Sequence, residues 1–161
     1  MDYLWTPWRY QYVTKAEDTG VCVFCSAAQS VDDAKMLVVH RGTHNLVILN
    51  RYPYTSGHLM VVPYQHVASL EELFDEASVE MIRLARQCEK HLRALYRPDG
   101  LNLGMNLGKS AGAGIASHLH LHVLPRWTGD TNFMTVVGET RVVPEALEVT
   151  WAKLRAAFGA E

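Results

Sequence analysis

The sequence is short of net charge, of cysteine and of long apolar runs, and each shortage removes a class of function. Lysine and arginine total 15 against 17 aspartates and glutamates, a formal charge of -2. No broad field therefore draws nucleic acid or an anionic membrane to the molecule, and neither is an expected partner. No run approaches the roughly 20 apolar residues that span a bilayer. The opening Met1-Asp2-Tyr3-Leu4-Trp5-Thr6-Pro7-Trp8 has no basic region followed by an apolar stretch, so it does not resemble a secretory signal. Three cysteines, Cys22, Cys25 and Cys88, are an odd number. Two of them lie at C-x-x-C spacing, which argues against a disulfide framework and for a reducing compartment, with the cytoplasm expected. Repeats, linkers and low-complexity segments are absent too. With 161 residues, 48% hydrophobic and 20% charged, the chain is expected to form one domain over 1–161.

What is present divides into an aromatic opening, several strands and one long helical pattern. Tyr3, Trp5, Trp8, Tyr10 and Tyr12 make the first dozen residues too apolar to be left in water, so they are expected to cover the domain or a partner subunit. Residues 27–35 read as a polar loop. Strands are expected over 35–40, 45–50, 58–62, 101–106 and 117–124, with Pro63 and Pro125 as terminators. From Ser69, which forms a capping-box pair with Glu72, the period becomes helical. Phe74, Ala77, Met81, Ala85, Cys88, Leu92 and Leu95 form one apolar stripe, and Pro98-Asp99-Gly100 ends it. Cys88 lies on that stripe and reads as a buried small hydrophobe; His91 lies off it and reads as a surface residue. Pro144 opens a final helix from Glu145 to about Phe158. Strands without βαβ alternation predict an α+β fold with a largely antiparallel sheet.

The most informative run is His118-Leu119-His120-Leu121-His122-Val123-Leu124. On a strand, side chains alternate faces, so the three histidines share one side and the leucines and valine the other. Three imidazoles on one face have no packing rationale, because each buried polar group needs a partner. Two chemistries remain, a three-histidine metal centre or phosphoryl chemistry with a histidine nucleophile. The preceding Gly108, Ser110, Gly112 and Gly114 favour phosphate, since glycines let backbone N–H groups approach an anion. Cys22-Val23-Phe24-Cys25 is a second signal, and a structural zinc there needs two further ligands. His40 and His44 have no ligand spacing and read as surface or turn residues.

The triple-histidine run resembles the signature of the histidine-triad superfamily. Asn45 to Arg51 and Gly57 to Pro63 resemble that family's first half, particularly its fragile-histidine branch. Leu4-Trp5-Thr6-Pro7-Trp8-Arg9 and Val123-Leu124-Pro125-Arg126-Trp127 resemble its bacterial diadenosine tetraphosphate hydrolases or phosphorylases. The resemblance implies a five-stranded antiparallel sheet with one long helix and a C-terminal helix, in a homodimer. It also implies a nucleotide or dinucleoside polyphosphate substrate, attacked at the α-phosphorus by His120 to give a nucleotidyl-histidine. His58 and His122 would contact phosphate oxygens, Asn50 the ribose hydroxyls, and Asn106 the phosphate or leaving group. Where many hydrolases carry Gly-Gln-Ser/Thr, this chain has Ala113-Gly114-Ile115. A polar leaving-group contact is thus missing unless Ser110 replaces it, and water versus inorganic phosphate as acceptor stays open. Relatives with the C-x-x-C add two histidines, which match His66 and His118 here, so the resemblance implies a structural zinc on Cys22, Cys25, His66 and His118. No catalytic cofactor is implied, though Mg²⁺ could ride on the substrate. A nucleotide-binding protein without turnover is the rival of a different class.

Overall fold

The computed structural model describes residues 20–130 and 145–160; the aromatic opening and Pro144 lie outside them. The chain runs α1 (Val23–Gln29), α2 (Asp33–Met36), β1 (Val38–Arg41), β2 (Asn45–Leu49), β3 (Leu59–Pro63), α3 (Asp75–Tyr96), β4 (Gly100–Gly104), β5 (Leu121–Arg126) and α4 (Leu147–Gly159). The five strands form one antiparallel sheet in the order β1-β2-β3-β5-β4, so the expected α+β architecture is the observed one. Among the described residues no helix is long and apolar enough to cross a membrane.

The sheet is built around β2 and β3, in which every residue is buried. Both faces are covered, which is why these strands read as continuous apolar runs rather than alternating ones. Helix α3 packs on β2, β3 and β5. It buries Ala77, Met81, Leu84, Ala85, Cys88 and Leu92, where each large side chain removed from water contributes about 1.5–3 kcal/mol. Cys88 is the inert core thiol that its position on the stripe predicted, and full burial pushes its pKa far up. The stripe's ends, Phe74 and Leu95, remain exposed.

Several boundaries differ from the sequence reading. Residues 27–35 are mostly helical rather than a loop, because Asp32 caps α2 by accepting the Lys35 N–H at 3.0 Å. Leu37 ends that helix with a left-handed backbone, φ +63. Lys35 and Met36 therefore stand before the strand. The capping box at Ser69 forms but closes only a single 3₁₀ turn, Leu70–Glu72; the long helix begins at Asp75. Strand β5 starts at Leu121 and includes Pro125, which pairs with Leu101 beyond the last residue that β3 engages. The last helix begins at Leu147. Glu145 instead turns its carboxylate onto Tyr96, Thr150 and Lys153, locking the end of α3 to α4.

His91 is a correction: it is 6% exposed, with its ring 4.5 Å from that of Phe158. The periodicity of α3 alone could not reveal that α4, from far along the chain, would cover its second face. Phe158 also stacks on His40 at 5.2 Å, and His44 meets the edge of Phe74 at 5.1 Å, so both histidines are half-buried packing groups.

Candidate active site and metal centre

Helix α1 buries Phe24 and Ala27 in the core, and one guanidinium braces its C-terminal end. Arg41 donates to the carbonyls of Ala27, Ala28 and Ser30 at 2.8–2.9 Å and pairs with Asp33. A helix C-terminus leaves such carbonyls without intrahelical partners and carries partial negative charge, so a buttressing cation satisfies both demands. The other end of α1 thereby presents Cys22, Phe24 and Cys25 to the chain that precedes β5.

Four side chains converge there. Cys22 Sγ lies 3.3 Å from His118 Nδ1, Cys25 Sγ 3.2 Å from His66 Nδ1, and the two Nδ1 atoms 3.1 Å apart. All four ligand atoms fall within 4.8 Å of one another. Tetrahedral zinc bonds of about 2.0–2.3 Å place their donors roughly 3.3–3.8 Å apart, so the cluster has the size and donor chemistry of a Cys₂His₂ centre. The backbone orients His118 as a ligand. Its Nε2–H donates to the Pro63 carbonyl at 2.9 Å, which leaves the Nδ1 lone pair facing the thiols. Backbone-held rings of this kind are the usual outer support of a metal-bound histidine. Burial, then the neighbouring Cys22, holds the Cys25 thiol above its ordinary pKa; a divalent cation supplies the charge that would ionise it. These four residues could hold a metal ion.

Next along the chain, His120 and His122 turn to different work. His120 Nδ1–H donates to the carbonyl of His118 at 2.9 Å. That bond assigns the proton to Nδ1 and leaves the Nε2 lone pair unprotonated. Its ring is packed between Phe24, centroids 5.1 Å apart, and His122, 4.8 Å. A second chain of bonds sets His122. The Tyr54 N–H donates to His58 Nδ1 at 3.2 Å, so the His58 proton sits on Nε2 and donates to His122 Nδ1 at 2.9 Å. His122 must then carry its own proton on Nε2. Burial lowers the pKa of His120 and lowers that of His122 to about 4, with the positive charge His120 could carry as the second cause for His122. Both rings are neutral near pH 7. The arrangement removes one ligand from a three-histidine metal centre, since His118 turns its free nitrogen to the cysteines and away from His120 and His122.

His58 is 0% exposed and stands on a turn that requires glycine. Gly57 has φ +79, and a Cβ there would lie 2.9 Å from Leu92 Cδ2. Asn50, also buried, approaches His58 Nδ1 through Nδ2 at 3.4 Å while accepting the Tyr52 N–H. The glycine-rich loop is tied to the site at both ends. It leaves β4 at Gly104, the register partner of His122, and returns at His118. Within it Gly108 and Gly112 take φ +83 and +90 around a 3₁₀ turn that carries the exposed Ser110, and Asn106 Nδ2 reaches the Gly112 carbonyl at 3.5 Å. Gly114 follows, half-buried, beside the buried Ala113. Tyr54, whose ring lies 4.8 Å from that of His58, and the carbonyls of Pro63 and His118 were missed in the sequence. Backbone donors and acceptors leave no residue-type signature.

Residues 32–129 match the HIT domain family. The chain belongs to the HIT family. It is 43% identical over 156 residues to a Mycobacterium tuberculosis protein named AP-4-A phosphorylase, covering 91% of this chain and 79% of the relative. Among solved structures, a Zn-bound histidine triad family protein from Mycobacterium smegmatis superposes with a TM-score of 0.69 at 28% identity, over 88% of this HIT chain and 95% of that one. A hypothetical histidine triad nucleotide-binding protein from Sulfolobus tokodaii gives a TM-score of 0.68 at 26% identity, over 86% and 93%.

Proposed function

We propose that this HIT protein, working as one domain over 1–161, is an enzyme that splits dinucleoside polyphosphates at an α-phosphorus through a nucleotidyl-histidine. The observation that carries the reading is the tautomer of His120, which is protonated on Nδ1 and therefore nucleophilic at Nε2. His120 Nε2 forms a bond to the α-phosphorus as the bond to the bridging oxygen breaks. The leaving polyphosphate takes the electron pair. His122, with its proton held on Nε2, donates to a phosphate oxygen where negative charge collects. His58 acts through His122, since both its nitrogens are engaged inside the protein. Asn50 receives the ribose hydroxyls, and Asn106, Ser110 and the loop at Gly112 and Gly114 receive the remaining phosphates, although the N–H groups of Ala111, Gly112 and Ala113 already donate to the Gly108 and Lys109 carbonyls within the loop. An acceptor oxygen then attacks the phosphorus and His120 is released unchanged.

We infer inorganic phosphate as that acceptor, on the 43% identity to a protein named for phosphorolysis and on Ala113-Gly114-Ile115. With diadenosine tetraphosphate the balanced products are ATP and ADP; with water they are ATP and AMP. Product chromatography with and without phosphate decides between them, and no cleavage under either condition would overturn the reading in favour of a binding protein. Mg²⁺, where present, belongs to the substrate polyphosphate.

Zinc is the proposed ion of the Cys₂His₂ centre, with no open position and so no step of its own. Cytoplasmic residence fits three free thiols. A homodimer joined along β4 fits an edge strand with its outer residues exposed, Leu103 at 49%. Sedimentation at micromolar concentration should give twice the chain mass, and a monomer throughout would reject the pairing.

A further inference from the structure

The metal centre and the nucleophile share more than their adjacency in the chain. Phe24 lies between the two cysteine ligands, in the first turn of α1, and is 3% exposed. Its ring meets His118 edge-on at 5.4 Å and His120 at 5.1 Å with 48° between planes. His122 also packs on His120, centroids 4.8 Å apart at 76°. An imidazole held by a single hydrogen bond can rotate about the bond to its ring. A half-turn removes Nδ1 from the His118 carbonyl and Nε2 from its working position. Packing by both neighbouring rings opposes that rotation, and one of the two is Phe24.

We propose that Phe24 is a positioning residue for His120, through which the Cys22–Cys25 metal knuckle holds the nucleophile in its reactive orientation and tautomer. The inference rests on the reading of His120 as nucleophile. The knuckle fixes His120 by two routes. His118, a ligand, supplies the carbonyl that accepts the hydrogen bond of His120 Nδ1–H. Phe24, carried between the other two ligands, blocks rotation of the ring. A truncated Phe24 leaves the first route intact and removes the second, so the two are separable. A one-ångström misplacement of a reacting group costs roughly a hundredfold in rate, which sets the scale of the effect.

The test uses zinc-loaded full-length protein, as wild type, Phe24→Ala and Phe24→Leu, each checked for metal content and melting. Ring ¹⁵N spectra of histidine-labelled protein report the His120 tautomer without any need for turnover. Single-turnover formation of the nucleotidyl-histidine and AMP affinity are measured alongside. The expected result is full zinc occupancy and AMP affinity within about threefold in both variants. His120 should give mixed-tautomer signals in Phe24→Ala, and its nucleotidylation should slow roughly ten- to a hundredfold. Phe24→Leu, which refills most of the space, should recover most of the rate. An unchanged His120 signal with an unchanged rate overturns the proposal. Loss of zinc from a folded Phe24→Leu also overturns it, since Phe24 would then serve only the knuckle. A weakened AMP affinity with normal nucleotidylation overturns it in favour of a base-contacting wall. If wild type forms no covalent intermediate, the proposed function fails while the ring spectra still judge Phe24.

Discussion

His58 offers the sharpest test of how the site is wired, because a fully buried ring can influence phosphate only through its neighbours. Replacing it with phenylalanine keeps the ring and deletes both nitrogens. The Tyr54 N–H and His122 Nδ1 then lose the partners they hold at 3.2 and 2.9 Å, and each orphaned buried group costs about 1–3 kcal/mol. Extra apolar burial by the phenyl ring returns roughly 1–2 kcal/mol of that. The net loss of about 0–5 kcal/mol lowers Tm by roughly 2–4 °C per kcal/mol in a chain of this size. The activity should fall further than the stability implies. His122 no longer has its proton confined to Nε2, so a transition-state donor is lost at a cost of about 10²–10³ in rate. AMP affinity should fall much less than the rate, as His58 itself touches no ligand in this scheme and reaches the ribose only through Asn50, whose Nδ2 approaches it at 3.4 Å. Calorimetry, steady-state cleavage and AMP titration of His58→Phe read the three quantities separately. A folded variant with near-normal kcat/KM would refute the relay. A large loss of AMP affinity would instead make His58 a direct phosphate contact.

His120→Ala should abolish turnover while AMP still binds, and cleavage at near-normal rate would remove His120 from the chemistry. Cys22→Ser should lower zinc content and Tm together, whereas immediate loss of activity on chelation of a still-folded protein would make the metal catalytic. Gly57→Ala should cost about 2–5 kcal/mol, the sum of a left-handed backbone and a contact with Leu92 that must give; Gly129→Ala, at φ +83 with nothing within 4 Å of a Cβ, should cost only the first part. Glu80 supplies a pH test. Burial raises its pKa, but hydrogen bonds from the Asn45 side chain and the N–H groups of His44, Thr43 and Asn45 outweigh that and hold it below the usual value. A depressed folded pKa contributes stability that is present above the unfolded value near 4.5 and lost as pH falls through the folded one. Glu80→Gln should therefore destabilise the protein at pH 7 by about 1–3 kcal/mol, and urea titrations should find the gap closed in strong acid; a gap independent of pH would contradict the assignment.

The sheet, the long helix and the chemistry of the site were legible in the chain alone. They follow from local periodicity and residue type: apolar runs for β2 and β3, a three-to-four stripe for α3, three histidines at alternate positions, two cysteines at knuckle spacing. What was misread has two causes. Helix α2 within 27–35 rests on a local cap that went unread, Asp32 accepting the Lys35 N–H; the other cause is long-range. The burial of His91 depends on Phe158, and the bracing of α1 on Arg41, contacts between residues far apart in the chain that no window reveals. The same holds inside the site. A strand pattern puts His118, His120 and His122 on one face, but it cannot say that His118 ends its ring on the Pro63 carbonyl and turns to the cysteines. Nor can it say that the His118 carbonyl accepts from His120 Nδ1–H, or that Tyr54 settles His122 through His58. Residue types name the groups that can titrate and ligate. The folded chain supplies the backbone acceptors and packed rings that decide which nitrogen carries the proton, and so which one keeps a free lone pair.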